Sequence, residues 1–378
     1  VYEESKFSRT MPRGNFCSPL KMKRTMKNSL RLIVTVLFVV CQRGVSLAED
    51  ATPIRVGIIG LDNYQALDFT SQFHNPSAPE ELKGLRVVAG YAGGSSDIPE
   101  SVEQLPKWLP GFKEQGVEIL DSVEAVRDRC DAILIMSLDG RSHLPDLMKV
   151  AKSGVPIYVG RPMAVSLKDV VTMFDFASKQ DVPIFSCSQH RYVPGFRNMR
   201  GHPEVGNVLG ADVWGGCPED PLHPDTVWKG LHGVETLYTL LGPGCVTVMR
   251  ASTPDSDVLT GVWNDGRIGS YRGIRKGAVG YRAMVFGDKG ISPSGDYGYD
   301  VPTNWVAPHG EYWGYKGVAI QIATFFKTRK PPVSPEETLE IFAFMEAAHD
   351  SKRRGGHPVA VADMLTEAQR AAKNSSSK

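Results

Sequence analysis

The stretch from Pro53 to Gln65 constrains the fold more than any other part of the sequence. A short apolar run ends in Gly60, and a helical pattern follows it. Strands that are buried in a parallel sheet are near-continuous apolar runs. A glycine at such a strand end allows a tight turn into the helix, whose first N–H groups can receive a phosphate. The stretch therefore predicts the first strand and helix of a nucleotide-binding α/β domain.

The glycine pattern of this turn is incomplete. A dinucleotide fingerprint has the form G-x-G-x-x-G, and counting from Gly60 the other two glycine positions hold Asp62 and Gln65. The second glycine normally lets the backbone approach a pyrophosphate, and a carboxylate there would repel that group. The stretch therefore indicates the fold more strongly than the cofactor. The candidate cofactor-binding residues at this turn are Gly60, Leu61, Asp62 and Asn63.

Strands and helices alternate over residues 53–192, which predicts a Rossmann-like domain with a mostly parallel, doubly wound sheet. Residues 108–111, which contain Pro110 and Gly111, are predicted as a loop. Ligands of such sheets bind beyond the carboxyl ends of the strands, so the loops at those ends are expected to converge on one crevice. Further candidate cofactor-binding residues at these ends are Tyr91, Ser137, Asp139, Gly160 and Pro162.

The end of the second predicted strand, residues 85–91, lacks the acidic residue that usually holds the ribose hydroxyls of a dinucleotide. Residues 92–96 read AGGSS instead. A missing acid is compatible with a cofactor that carries a 2′-phosphate, although no arginine follows at once to bind it. It is equally compatible with the absence of a cofactor.

The pattern changes in residues 193–361, where several predicted strands follow one another without intervening helices. This arrangement predicts an antiparallel sheet, and Asn264–Asp265–Gly266 has the residues of a hairpin turn. Helices are predicted over residues 230–241, 315–327 and 334–352. Residues 362–378 are assigned to a tail whose polar end, from Asn374, is expected to be disordered.

The first 48 residues have the order of a secretory signal peptide. A basic region is followed by an apolar core over residues 32–41, and Ser46–Leu47–Ala48 supplies small residues before a cut. We therefore expect export to the periplasm or the medium, with an uncleaved membrane anchor as the alternative. The net charge of +1 indicates no nucleic-acid partner, and the absence of a C-x-x-C pair makes a zinc site unexpected. The cysteines at positions 130, 187, 217 and 245 would remain, with their pairing open.

From about Arg55 to Val361 the sequence resembles the glucose-fructose oxidoreductase / inositol dehydrogenase (Gfo/Idh/MocA) family. The first strand with its glycine turn, residues 131–191, residues 230–242 and the helix at 335–352 carry the likeness. The resemblance implies a dinucleotide-binding domain followed by an α+β domain with an open, mainly antiparallel sheet. It also implies hydride transfer between a sugar or cyclitol carbon and NAD or NADP. The family often has a histidine near the cofactor in the loop where this chain has His143.

Two family motifs suggest catalytic residues. The acidic residue–Lys–Pro triplet after the fifth strand is here Gly160–Arg161–Pro162, and Asp-x-x-x-His-x-x-Asp is Trp228-x-x-x-His232-x-x-Glu235. Glu235 shares a helix face with His232, so we expect it to orient His232 as a general base. Arg161 cannot act as a base because guanidinium stays protonated, but it can bind an oxygen-rich substrate or polarise a carbonyl. The predicted substrate-binding residues are His190, Arg191 and Tyr192.

Three hypotheses about function follow. The first is an exported NAD(P)-dependent oxidoreductase that acts on a sugar, cyclitol or sugar acid. The second is a redox-inactive family member that binds or processes a carbohydrate without net hydride transfer. The third is a structural partner that uses the open face of its second sheet, and we also expect a homo-oligomer.

Overall fold

A computed structural model of the protein describes residues 52–151, 154–294 and 314–376. The predicted signal peptide lies outside these residues. Within the described residues, no helix combines the length and apolar character that crossing a lipid bilayer requires. The described cysteines at positions 130, 187, 217 and 245 are buried free thiols, and burial raises the pKa of Cys217 to about 11.

The first sheet confirms the predicted Rossmann-like architecture. Its six strands are all parallel and have the order β3-β2-β1-β4-β5-β6. The order reverses between β1 and β4, which is where ligands bind in doubly wound sheets. The strands are β1 (Ile54–Ile59), β2 (Leu85–Tyr91), β3 (Glu118–Leu120), β4 (Ala132–Ile135), β5 (Ile157–Val159) and β6 (Ile184–Phe185). The helices between them are α1 (Tyr64–His74), α2 (Pro99–Glu114), α3 (Val123–Arg127), α4 (Gly140–Val150) and α5 (Leu167–Lys179).

Helix α2 corrects the prediction of a loop at residues 108–111. The helix continues through Pro106 and Pro110, although each proline removes a backbone hydrogen bond. Phe112 is fully buried, and Leu105 and Trp108 pack against the core of the domain. Burial of these apolar side chains therefore offsets the cost of the two prolines, which local sequence alone does not reveal.

The second sheet is mixed and mainly antiparallel, in the order β12-β11-β7-β10-β9-β8-β13. Strand β10 pairs parallel with β7 and antiparallel with β9, and the predicted hairpin turn joins β9 to β10. The strands are β7 (Val208–Gly216), β8 (Cys245–Ser252), β9 (Ser256–Trp263), β10 (Ile268–Ile274), β11 (Arg282–Gly287), β12 (Ile291–Ser294) and β13 (Val359–Ala360). The remaining α-helices are α6 (Pro194–Arg197), α7 (Leu231–Leu241), α8 (Lys316–Thr328), α9 (Pro335–Arg353) and α10 (Val361–Ser376).

Helix α7, which carries two of the predicted catalytic residues, is fixed tightly against the second sheet. All of its residues are buried. Gly233 faces the ring of Tyr271 on β10, and a Cβ atom at this glycine would lie 2.0 Å from that ring. The close approach of helix to sheet sets the position of His232, one residue earlier on the same helix.

The predicted domain boundary at residue 192 does not divide the packing, because two C-terminal helices return to the first domain. Phe325 of α8 contacts Phe185 of β6, with 4.8 Å between ring centroids. Helix α10 packs on α5 and α9 through buried Met364, Ala368 and Ala372. Residues 362–378 were predicted to be a tail, but helix α10 extends as far as Ser376.

Candidate active site

The turn after β1 brings together the ends of three strands. Gly60 has a φ of +90°, and a Cβ atom there would lie 2.2 Å from the backbone nitrogen of Ser137. Its N–H donates to the carbonyl of Tyr91 at 3.0 Å. Gly93, after β2, approaches the same turn so closely that its Cβ would be 3.2 Å from Gly60 Cα. Gly60, Tyr91 and Ser137 thus meet at one edge of the sheet, as the strand order requires.

Asp62 does not present its charge to this edge, which corrects the predicted repulsion of a pyrophosphate. The residue is fully buried. Its carboxyl group accepts hydrogen bonds from Ser101 Oγ at 2.5 Å and from the Leu138 N–H at 3.2 Å. Burial raises the pKa of the carboxyl group. Asp62 therefore ties the β1 turn to α2 and to the loop after β4.

The other predicted residues of the β1 turn have structural roles. The Leu61 side chain belongs to the core of the first domain. Asn63 caps α1 by accepting a hydrogen bond from the Gln65 N–H at 2.9 Å. Gln65 is fully buried, and within the described residues neither polar atom of its side chain has a hydrogen-bond partner.

The predicted cofactor residues after β4 are held by hydrogen bonds within the fold. Asp139 pairs with Arg141 at 2.8 Å and accepts from Ser95 Oγ at 2.6 Å. Burial opposes ionisation, but these bonds hold the pKa of Asp139 at about 2. His143 is buried and lies within 3.2 Å of two backbone carbonyls, those of Ser137 and Met163. Its ring therefore fixes the loops after β4 and β5 instead of facing the crevice.

The loop after β5 places Arg161 beside the helix that carries His232. Gly160 anchors this loop by donating to the Ile135 carbonyl at 2.7 Å, and Pro162 is buried against Gly140. Arg161 is half-buried and donates from Nε to Gln189 Oε1 at 2.6 Å.

His232 is buried at the junction of the two domains. Its Nδ1 lies 2.8 Å from Ser188 Oγ, and its ring stacks on His190 with 4.8 Å between centroids. Burial lowers the pKa of His232 well below its usual value, and the positive charge of Arg161 lowers it further. The imidazole is therefore neutral near pH 7 and can accept a proton.

Within the described residues Glu235 makes no hydrogen bond or ion pair with His232, which differs from the predicted pair. Its carboxylate lies 2.8 Å from Arg191 Nε, and Arg191 also binds Glu337 at 2.7 Å. Glu235 accepts a hydrogen bond from the backbone of Ser188 as well, so it supports the residue that holds His232. Arg191 is nearly buried between these two carboxylates, and within the described residues its Nη2 is buried without a hydrogen-bond partner.

The other predicted substrate residues are also buried. His190 lies between the rings of His232 and Phe196, and Tyr192 is 8% exposed. The side chains of both residues therefore pack beneath the site and are not at its opening.

Two residues that sequence reasoning missed lie beside the predicted ones. Tyr281 of the second domain approaches the His190 ring, with 4.8 Å between centroids. Lys229 lies on a π-helical turn, Thr226–Gly230, just before α7, and its Nζ is 3.5 Å from Glu100 of α2. Burial lowers the pKa of Lys229. The one sequence signal next to Lys229 is Trp228, which stands where the family motif has an aspartate.

A second connection between the domains crosses the crevice at His223. This residue is buried against Trp228, with 4.4 Å between ring centroids, and its Nδ1 lies 2.8 Å from Asp220. Its Nε2 is 3.7 Å from Asp139, and within the described residues it has no hydrogen-bond partner.

The crevice residues fit the predicted dinucleotide. Bare glycine backbone lines the β1 turn, and the first N–H groups of a helix suit a phosphate. Within the described residues, the polar atoms of the Gln65 side chain and Nε2 of His223 are buried and have no hydrogen-bond partner. Within the described parts of the chain, no group of three or more His, Cys, Asp or Glu side chains is arranged to hold a metal ion.

The buried histidines predict a loss of stability in acid. Burial, and then the charge of Arg161, lower the pKa of His190 to about 3 from an ordinary value of 6.5. Between these values the unfolded chain binds the proton and the folded chain does not, so the free energy of unfolding falls as the pH falls from about 6.5 to about 3. The slope from this histidine is up to about 1.4 kcal/mol per pH unit.

Urea unfolding at several pH values measures this slope. We expect His190→Gln to have a shallower pH dependence than the wild type below about pH 6.5. Parallel curves for the two proteins would show that His190 accepts a proton in the folded state.

Comparisons with known proteins agree with this architecture, although no family model matches the chain. A myo-inositol dehydrogenase of Streptomyces leeuwenhoekii is 25% identical over 232 residues, which cover 54% of this chain and 69% of the relative. A myo-inositol 2-dehydrogenase of Thermotoga maritima is 25% identical over 265 residues, covering 63% and 74%. The solved structure of scyllo-inositol dehydrogenase from Lactobacillus casei, with bound NAD(H) and scyllo-inositol, has a TM-score of 0.62 and 12% identity, and the match covers 82% of this chain and 99% of that one. The structural likeness shows a shared fold.

Proposed function

Since the chain belongs to the glucose-fructose oxidoreductase / inositol dehydrogenase family, we propose that it is an NAD(P)-dependent oxidoreductase that oxidises a secondary alcohol of a cyclitol or sugar. The names of the two curated relatives support the reaction and the substrate class. The NAD(H) and scyllo-inositol held by the Lactobacillus casei enzyme support the cofactor and the cyclitol. NAD and NADP both remain candidates because residues 92–96, directly after β2, contain no acidic residue.

The observation that carries this proposal is a neutral histidine next to a fixed cation, at the carboxyl edge of a doubly wound sheet. Oxidation of a secondary alcohol removes a proton from oxygen and a hydride from carbon. When it is bound, the nicotinamide supplies the acceptor for the hydride. His232 supplies the acceptor for the proton: with Nδ1–H donating to Ser188, the lone pair of Nε2 is free to act as the base.

Arg161 has a complementary role in this proposal. Its guanidinium stays protonated and can hold the substrate oxygen as negative charge develops on it. Gln189 fixes the guanidinium through Nε, so its terminal nitrogens are the ones directed to a ligand. Glu235 and Arg191 position Ser188 and do not take part in the chemistry.

The redox-inactive alternative is not favoured, since both curated relatives are named as dehydrogenases. Export stays a prediction from the sequence of the first 48 residues, and a homo-oligomer stays a prediction as well.

Turnover by the purified chain tests the proposal. NAD or NADP is incubated with myo-inositol, scyllo-inositol, D-glucose, D-gluconate or D-glucuronate, and the absorbance of reduced nicotinamide is followed. We expect reduction with at least one cofactor and one polyol, and none when the polyol is omitted. A folded protein that reduces neither cofactor with any polyol would contradict the proposal.

A further inference from the structure

We propose that the site selects a polyol that carries a carboxylate, an aldonic or uronic acid, and that Arg161 binds that carboxylate. This inference rests on the proposed function for the position of the site and adds the charge of the substrate. It follows from the distribution of charges around His232.

The acidic side chains near the site are already paired. Glu235 is bound to Arg191, and the nearest carboxylate to Lys229 is that of Glu100 at 3.5 Å. Asp139, in the loop after β4, is bound to Arg141. These pairs leave little unpaired negative charge to repel an anion.

Arg161 differs from these cations. Among the residues that the structure describes, no Asp or Glu oxygen lies within 4.0 Å of its guanidinium, and its recorded hydrogen bond goes to the neutral Gln189. Its positive charge lowers the pKa of four nearby groups, which are His190, His232, Lys229 and Tyr281. A half-buried guanidinium that lacks a carboxylate partner can form a charge-assisted pair with the carboxylate of a ligand.

The shape of the donor suits a carboxylate. A guanidinium offers parallel N–H groups that match the two oxygens of a carboxylate, whereas a lone hydroxyl engages one of them. Since Nε is occupied by Gln189, the terminal nitrogens remain for the ligand.

Calorimetric titration of the full chain tests this inference with D-glucuronate and its neutral counterpart D-glucose, and with D-gluconate and its neutral counterpart D-glucitol. Titrations are run with and without NAD and NADP. We expect at least one of the two acids to bind about 10- to 100-fold more tightly than its neutral counterpart, as for a hydrogen bond to a charged group. Arg161→Gln should remove this preference, and Arg161→Lys should keep part of it. Arg55→Gln is the matched control, since Arg55 pairs with Asp131 on the surface at the amino end of β1 and should leave the preference unchanged.

Equal affinity of the wild type for acids and neutral polyols would overturn the inference, even if the Arg161 variants do not fold. Absence of binding by both acids would overturn it too, as would a folded Arg161→Gln that keeps the preference. Different results decide the proposed function. Binding of an acid without reduction of either cofactor would sustain the inference and contradict the oxidoreductase. Turnover of myo-inositol with no preference for acids would support the oxidoreductase and contradict the inference.

Discussion

Replacing His232 with asparagine is expected to lower kcat by about 10²- to 10⁴-fold, the range that general acid–base catalysis contributes. The asparagine side chain approximates the Nδ1 half of the ring and can keep the hydrogen bond to Ser188. It removes Nε2, which is the proposed proton acceptor. Folding and cofactor affinity should therefore change little while the chemical step slows.

Steady-state rates with the best cofactor and polyol measure this effect, together with the thermal stability of each protein. Ser188→Ala is the matched comparison, because it removes the partner of Nδ1 and keeps the base. We expect its loss of kcat to be smaller than that of His232→Asn. A His232→Asn protein that is folded and keeps most of the wild-type kcat would remove His232 from the mechanism.

The second large effect is on stability. Arg191→Met is expected to lower the free energy of unfolding by about 3–5 kcal/mol, because it leaves the buried carboxylate of Glu235 without its partner. Glu337 loses a partner in the same step. The double variant Arg191→Met/Glu235→Gln should recover part of the loss, since it removes one of the two uncompensated charges.

Urea unfolding of the single and double variants measures the loss and its recovery. Arg55→Met is the control, because the Arg55–Asp131 pair is exposed on the surface and should matter little. An Arg191→Met protein of near wild-type stability with a much higher KM would restore the predicted role of Arg191 in substrate binding.

The parts of the molecule that the sequence predicts well depend on local patterns. The apolar run before Gly60 and the alternation after it are enough to predict a doubly wound sheet, and the fold then brings the strand ends together. The sequence also indicates the hairpin at Asn264, because its turn residues have a strong local preference. Helix α2 escapes prediction because Pro106 and Pro110 disfavour a helix locally, whereas the burial of Phe112 that outweighs them is a tertiary effect.

The site was harder to predict because its partners are distant in sequence. Glu235 is three residues from His232, and spacing along a helix suggested that they interact. Arg191, which lies 44 residues before Glu235, binds the carboxylate instead. Lys229 lies on a π-helical turn, and Tyr281 lies just before strand β11 of the second sheet. Neither has a sequence pattern that marks it.

The burial of Asp62 shows the same limit. An acid at a glycine position of the fingerprint looks incompatible with a pyrophosphate when only the backbone turn is considered. The hydrogen bonds from Ser101 and Leu138 turn its carboxyl group into the protein. The partners come from α2 and from the loop after β4, so only the folded chain shows that the Asp62 carboxyl group is bonded within the protein.

The central claim is that a nicotinamide dinucleotide binds at the carboxyl edge of the first sheet, next to His232. The most direct measurement is a fluorescence titration of the purified chain with NADH and with NADPH, repeated with His232→Asn. We predict saturable binding of at least one of them at one site per chain, competed by the matching oxidised form and kept in the variant. Folded wild-type protein that binds neither NADH nor NADPH would contradict the claim.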